Sequence, residues 1–125
     1  MRLLEGTWLP VGARVALDEL PMDELRVARL VLQGREYRIL DRRLVAIDCG
    51  EFRVDATVLP RALDLIGLEG PNAGRTLRAI FELEGDELVV CYDLQGGARP
   101  SSMTPVADQL LLKITYARAP ARLAS

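Results

Sequence analysis

Histidine is absent from the sequence, and cysteine occurs only twice, at Cys49 and Cys91. The first absence removes the usual general base near neutral pH, every His-based nucleophilic triad and the commonest zinc and iron ligand. Two cysteines cannot complete a four-thiolate site, so no metal and no other cofactor is expected. Lysine is almost missing too: Lys113 is the only one, and every other basic residue is arginine. The arginines are interleaved with acids and the formal net charge is −2, which offers nucleic acid no basic field. Aromatics make up 5% of the chain, so a core must come mainly from Leu, Val, Ile and Ala. No apolar run approaches a membrane span, and the opening residues 1–8 lack the apolar segment of a signal peptide. The expected location is cytoplasmic, with both thiols reduced and acting as small hydrophobes.

What is present suits one domain, residues 1–125, of which half are hydrophobic. The pattern predicts strands, and two hairpins can be read in register. Over 75–94, Gly85-Asp86 forms a two-residue turn with glycine first, as a type II′ turn prefers. That sets Leu83 against Leu88, Phe81 against Val90, Ala79 against Tyr92 and Leu77 against Leu94. On the other face Glu82 meets Val89, Ile80 meets Cys91 and Arg78 meets Asp93. A second hairpin turns at Gly34-Arg35, setting Leu32 against Tyr37 and Leu30 against Ile39, with Val31 against Arg38 and Arg29 against Leu40. Further strands are expected at 7–16, 44–55, 62–68 and 109–117, with a bulge or bend at Cys49-Gly50. Residues 18–28 break the pattern; Pro21 at a first helical position, followed by Asp23 and Glu24, predicts a short helical turn near 21–26. Eight antiparallel strands and one early helical turn are the contents of a small closed barrel, which leaves no edge exposed.

Glu5-Gly6-Thr7-Trp8 on the first strand resembles the Gly-x-Trp signature of lipocalins. The run from Gly70-Pro71-Asn72-Ala73-Gly74-Arg75-Thr76-Leu77 through Ile80-Phe81-Glu82-Leu83-Glu84-Gly85-Asp86 to Cys91-Tyr92 is similar to a family of uncharacterised bacterial lipocalin-like domains. Gly50-Glu51-Phe52-Arg53-Val54-Asp55 and Gly97-Ala98-Arg99-Pro100 fit the same pattern. The resemblance covers about 4–118 and implies a calycin-type barrel with Trp8 plugging one end against an arginine late in the last strand. Arg118 is the candidate for that partner. The family brings a fold but no established activity or binding residues.

Six aromatics, Trp8, Tyr37, Phe52, Phe81, Tyr92 and Tyr116, fall on the expected inner face. Such a barrel is either just filled by side chains or holds one small ligand, so these residues are either core or the lining of a pocket. Two tyrosine hydroxyls near one mouth would suit a small apolar ligand with one polar end. Gly70 to Thr76 lacks the lysine and spacing of a phosphate loop and reads as a turn between strands. The acids Glu36, Glu51, Asp55, Glu82 and Asp93 are placed outside by the registers, and no inward carboxylate stands out. With no catalytic constellation, the expected function is non-enzymatic binding of a small, mostly apolar molecule. The alternative rests on Val31, Ile80, Val89, Cys91 and Leu111, which form an apolar stripe on the outer face. That stripe is either covered by the chain from 105 or 117 onward or buried in a homodimer.

Overall fold

A computed structural model describes residues 4–15, 18–21, 24–93, 99–103 and 111–120. The two hairpins form its most regular parts. β3 (Arg29–Gln33) and β4 (Glu36–Leu40) pair in the expected register, from Arg29 opposite Leu40 to Leu32 opposite Tyr37. β7 (Thr76–Glu84) and β8 (Glu87–Asp93) do the same, from Ala79 opposite Tyr92 to Leu83 opposite Leu88. Leu94 lies outside the described residues, so its pairing with Leu77 does too. Gly34 and Gly85 open the turns at φ 62° and 60°, the left-handed conformation a type II′ turn demands of its first residue.

The remaining elements are β1 (Gly6–Val15), the two-residue β2 (Asp18–Glu19) hooked onto its end, β5 (Ala46–Asp55), β6 (Arg61–Glu69) and β9 (Leu111–Arg118). Each long strand pairs antiparallel with the next in sequence, and β9 returns to β1, from Trp8 opposite Arg118 to Val15 opposite Leu112. With β2 as an appendage, the result is a closed eight-stranded antiparallel barrel with no free edge. The break expected at Cys49-Gly50 is a bulge: Cys49 faces Glu69 and Gly50 faces Gly67, leaving Leu68 extra and exposed. In place of a helix between β2 and β3, the described residues show one turn, in which the Glu24 N–H donates to the Pro21 carbonyl at 3.0 Å. Residues 22–23 of the expected 21–26 turn lie outside the described residues.

Alternation along each strand fills the interior. Leu30, Leu32, Tyr37, Leu63, Phe81, Leu88, Val90 and Ile114 point inward and are buried together. Part of the outer stripe is covered by the chain itself. Ile80, Cys91 and Leu111 form a second buried cluster, against which Met103 packs. Residues 99–103 approach as a strap, held by Arg99, which donates to the Ala79 carbonyl at 2.9 Å and pairs with Asp64 at 2.6 Å. Of the expected covering segments, 105–110 and 121–125 lie outside the described residues. Val31 and Val89 stay half-buried outside the cluster.

Candidate functional site

The two barrel ends differ in kind. One holds the 34–35 and 85–86 turns, the start of β1 and the end of β9, and it is sealed. Trp8 is 0% exposed there, its indole N–H donating to the Leu4 carbonyl at 2.9 Å. The Arg118 guanidinium lies over the indole ring at 4.3 Å from its centroid, a cation–π contact. The same side chain donates to the Glu5 carbonyl at 2.7 Å and reaches Asp86 at 3.2 Å. Gly6 makes room for it: a Cβ there would stand 3.0 Å from an Arg118 nitrogen, and its φ of 137° disfavours any side chain. The partner expected from the Gly-x-Trp resemblance is therefore in place.

The opposite end gathers the β1–β3 connection, the 41–45 turn, the 70–75 turn and the end of β8. A cavity of about 210 Å³ lies inside it. Its walls are aliphatic, from Val27, Ile39, Leu65, Leu77, Leu112 and Ile114, with Tyr92 and Tyr116 among them. Asn72, Arg75 and Asp93 complete the lining. Of the six aromatics expected to form a site, only Tyr92 and Tyr116 reach this cavity. Trp8 closes the far end, while Tyr37 and Phe52 belong to the packed core. Phe81 is core as well and edges an open depression beside Leu59 and Pro60.

Two carboxylates depart from the reading of the sequence. Asp48 points inward and is 5% exposed. It follows Phe52 and Gly50 on the inner face of β5, and it accepts from the Tyr37 hydroxyl at 3.3 Å and the Asn72 amide at 2.6 Å. Alternation from Phe52 through Gly50 would have found it, had the bulge not been taken as an interruption. Asn72 had no periodic signal, because it enters from the 70–75 turn. Asp93 is 8% exposed instead of lying on an open outer surface; at the end of β8 it forms part of the cavity lining. Glu36, Glu51, Asp55 and Glu82 are exposed as expected.

The tyrosines stay protonated far into the alkaline range. Burial pushes the Tyr92 hydroxyl up to about 12, partly offset by a hydrogen bond from Tyr116. Burial, then the neighbouring Tyr92, raises Tyr116 well above its ordinary value. Burial, then the Asp48 carboxylate, does the same for Tyr37. For such groups the unfolded chain loses its phenolic protons at a lower pH than the folded one. Their contribution to stability is complete below about pH 10, the ordinary tyrosine value. It is lost as pH rises through the folded values. Denaturant midpoints should therefore fall steadily from pH 10 to 12. Tyrosinate absorbance should grow in step with unfolding; if all three phenols ionise in the folded protein near pH 10, the burial argument fails.

Both thiols are held above their ordinary pKa. Burial and then the Glu69 carboxylate push Cys49 up, and burial raises Cys91. Among the described residues no three His, Cys, Asp or Glu side chains are grouped to hold a metal, and no helix is long and apolar enough to cross a membrane. A larger concavity of about 590 Å³ lies outside the barrel, between the strap and the Val58–Pro60 turn. It is open, and Asp64 and Arg99 within it already neutralise each other. The smaller cavity, with the more aliphatic lining and set within the barrel, is the candidate binding site. The chain matches no protein-family model, and no curated protein or solved structure matches it.

Proposed function

We propose that this chain is a lipocalin-like, non-enzymatic binder of a small, mostly apolar molecule. The observation that carries the reading is the single-ended barrel: Trp8 and Arg118 close one end, and an aliphatic cavity with two tyrosines lies at the other. Its 210 Å³ falls between the roughly 150 Å³ apolar cavity that accepts benzene and the roughly 300 Å³ at which ordinary ligand pockets begin. The ligand is thus about the size of one substituted ring or a short branched chain. Met103 packs against Ile80, Cys91 and Leu111 of the stripe that motivated a homodimer, while Val31 and Val89 stay half-buried outside that cluster.

Toluene is a suitable first probe. Titrated into the protein, it should shift the methyl resonances of Leu112 and Ile114 in a saturable way, leaving those of Leu88 at the sealed end unmoved. Leu112→Trp, which puts an indole into the space, should abolish the response while the fold persists. Saturable shifts that survive Leu112→Trp, or none in the parent protein, would remove the cavity as the site.

A further inference from the structure

We propose that the 41–45 turn docks the cavity end of the barrel on an anionic lipid surface, Leu44 and Val45 entering the acyl boundary while Arg26 and Arg43 meet headgroup phosphates. The apolar side chains of this turn face outward: Leu44 is 52% exposed and Val45 55%. The turn is built to hold them there. The Asp41 carboxylate accepts from the Arg43 and Val45 amides at 2.9 and 3.1 Å, and the Leu44 amide donates to the Asp41 carbonyl at 2.9 Å. Among the described residues Leu44 is the one non-glycine at positive φ, at 62°. A Cβ is strained in that conformation, which glycine or asparagine adopts at less cost. The chain thus carries backbone strain at a leucine whose side chain is half in solvent, and strain of this kind gathers at binding sites.

The charge around the turn points to the same partner. Arg26, Arg42 and Arg43 surround a depression of about 250 Å³ beside it, together with the buried Leu25. All three arginines are exposed, and Asp41 is the one acid in that lining, so two positive charges remain in excess. Glu24, two residues from Arg26, is exposed and does not line the depression. An apolar tip with a basic surround is what an interfacial anchor combines, and an anchor this small gives reversible contact. A nucleic acid backbone would meet the arginines but leave Leu44 and Val45 in water. A neutral apolar surface would take the two side chains and leave the arginines unmatched. With a net charge of −2 the chain as a whole is not drawn to anionic lipid, so the local excess at the turn orients it. The turn stands at the end of the barrel that holds the cavity, so docking sets that end against the lipid whether or not the cavity is filled.

Phosphatidylcholine vesicles containing about 30% phosphatidylserine, sedimented with the protein at low salt, test the docking. The parent should sediment with them, stay in the supernatant with pure phosphatidylcholine, and be released as salt is added. Arg43→Gln should weaken partitioning about fivefold, the share of one basic residue near a charged surface. Leu44→Gly should weaken it about tenfold through lost apolar burial while keeping the fold, since glycine is at ease at φ 62°. Val45→Trp reports insertion directly. Its emission should shift to the blue when the anionic vesicles are added, whereas Trp8, sealed at the far end, should give the parent no response. Equal sedimentation with both kinds of vesicle, unchanged partitioning of Leu44→Gly, or an unshifted emission from Val45→Trp would overturn docking through the turn. A single-stranded RNA that binds the parent and Leu44→Gly alike, with no vesicle bound, would overturn it too and assign the arginines to nucleic acid.

Discussion

Trp8→Ala should destabilise the protein by about 3 to 5 kcal/mol, the range for truncating a large aromatic in a packed core. The indole has no solvent contact, and its removal would leave a void in the packed barrel end. Two further losses accompany the void. The Leu4 carbonyl loses the indole N–H, and Arg118 loses the ring it lies over. Arg118 still holds the Glu5 carbonyl, so the strand ends remain joined while the interior behind them empties. A guanidinium denaturation curve for parent and variant measures the effect. A loss under about 1 kcal/mol is typical of a surface position and would mean that the end is sealed by something other than Trp8.

The hairpins were legible because each carries a glycine at a two-residue turn, and alternation from that point assigns every side chain to a face. Barrel closure was legible differently. Glu5 and Arg118 are 113 positions apart, and no local pattern joins them; the count of eight strands supplied the expectation of closure, and the Gly-x-Trp resemblance that of an arginine against Trp8. The cavity could not be read in the same way. Its lining combines inward strand residues with Asn72 and Arg75 from a turn, and turn side chains obey no period. Six aromatics on one face therefore read as core or as pocket lining, and parity alone could not show that they are distributed from one barrel end to the other. The outer stripe shows the complementary case. Parity placed Ile80 and Cys91 outside correctly, but what covers them depends on the course of a strap with no strand pattern.

Gly50→Ala should be the next most damaging of these changes, by about 3 kcal/mol, at the upper end of what overpacking a core usually costs. Its backbone is not the reason, since its φ is outside the left-handed region where Gly34 and Gly85 lie. Space is the reason. A Cβ at Gly50 would sit 2.0 Å from the Ile66 carbonyl oxygen and 2.9 Å from the Tyr37 ring. The first obstacle is backbone in the middle of the barrel, at the bulge where β6 carries Leu68 as an extra residue, so it cannot swing aside. The second is a fully buried ring whose hydroxyl is tied to Asp48, so moving it also strains the Asp48–Asn72 link below the cavity. Gly12→Ala is the matching control. Gly12 also lies at a strand irregularity, between Pro10 and the β9 pairing, but nothing comes within 4 Å of an added Cβ there. Its cost should stay within about 0.5 kcal/mol, and a small gain is equally consistent with a less flexible unfolded chain. Chemical denaturation of the two variants side by side separates the effects. Similar costs at Gly50 and Gly12 would show that the close approach of β5 to β6 relaxes freely and that the bulge does not fix the inner wall.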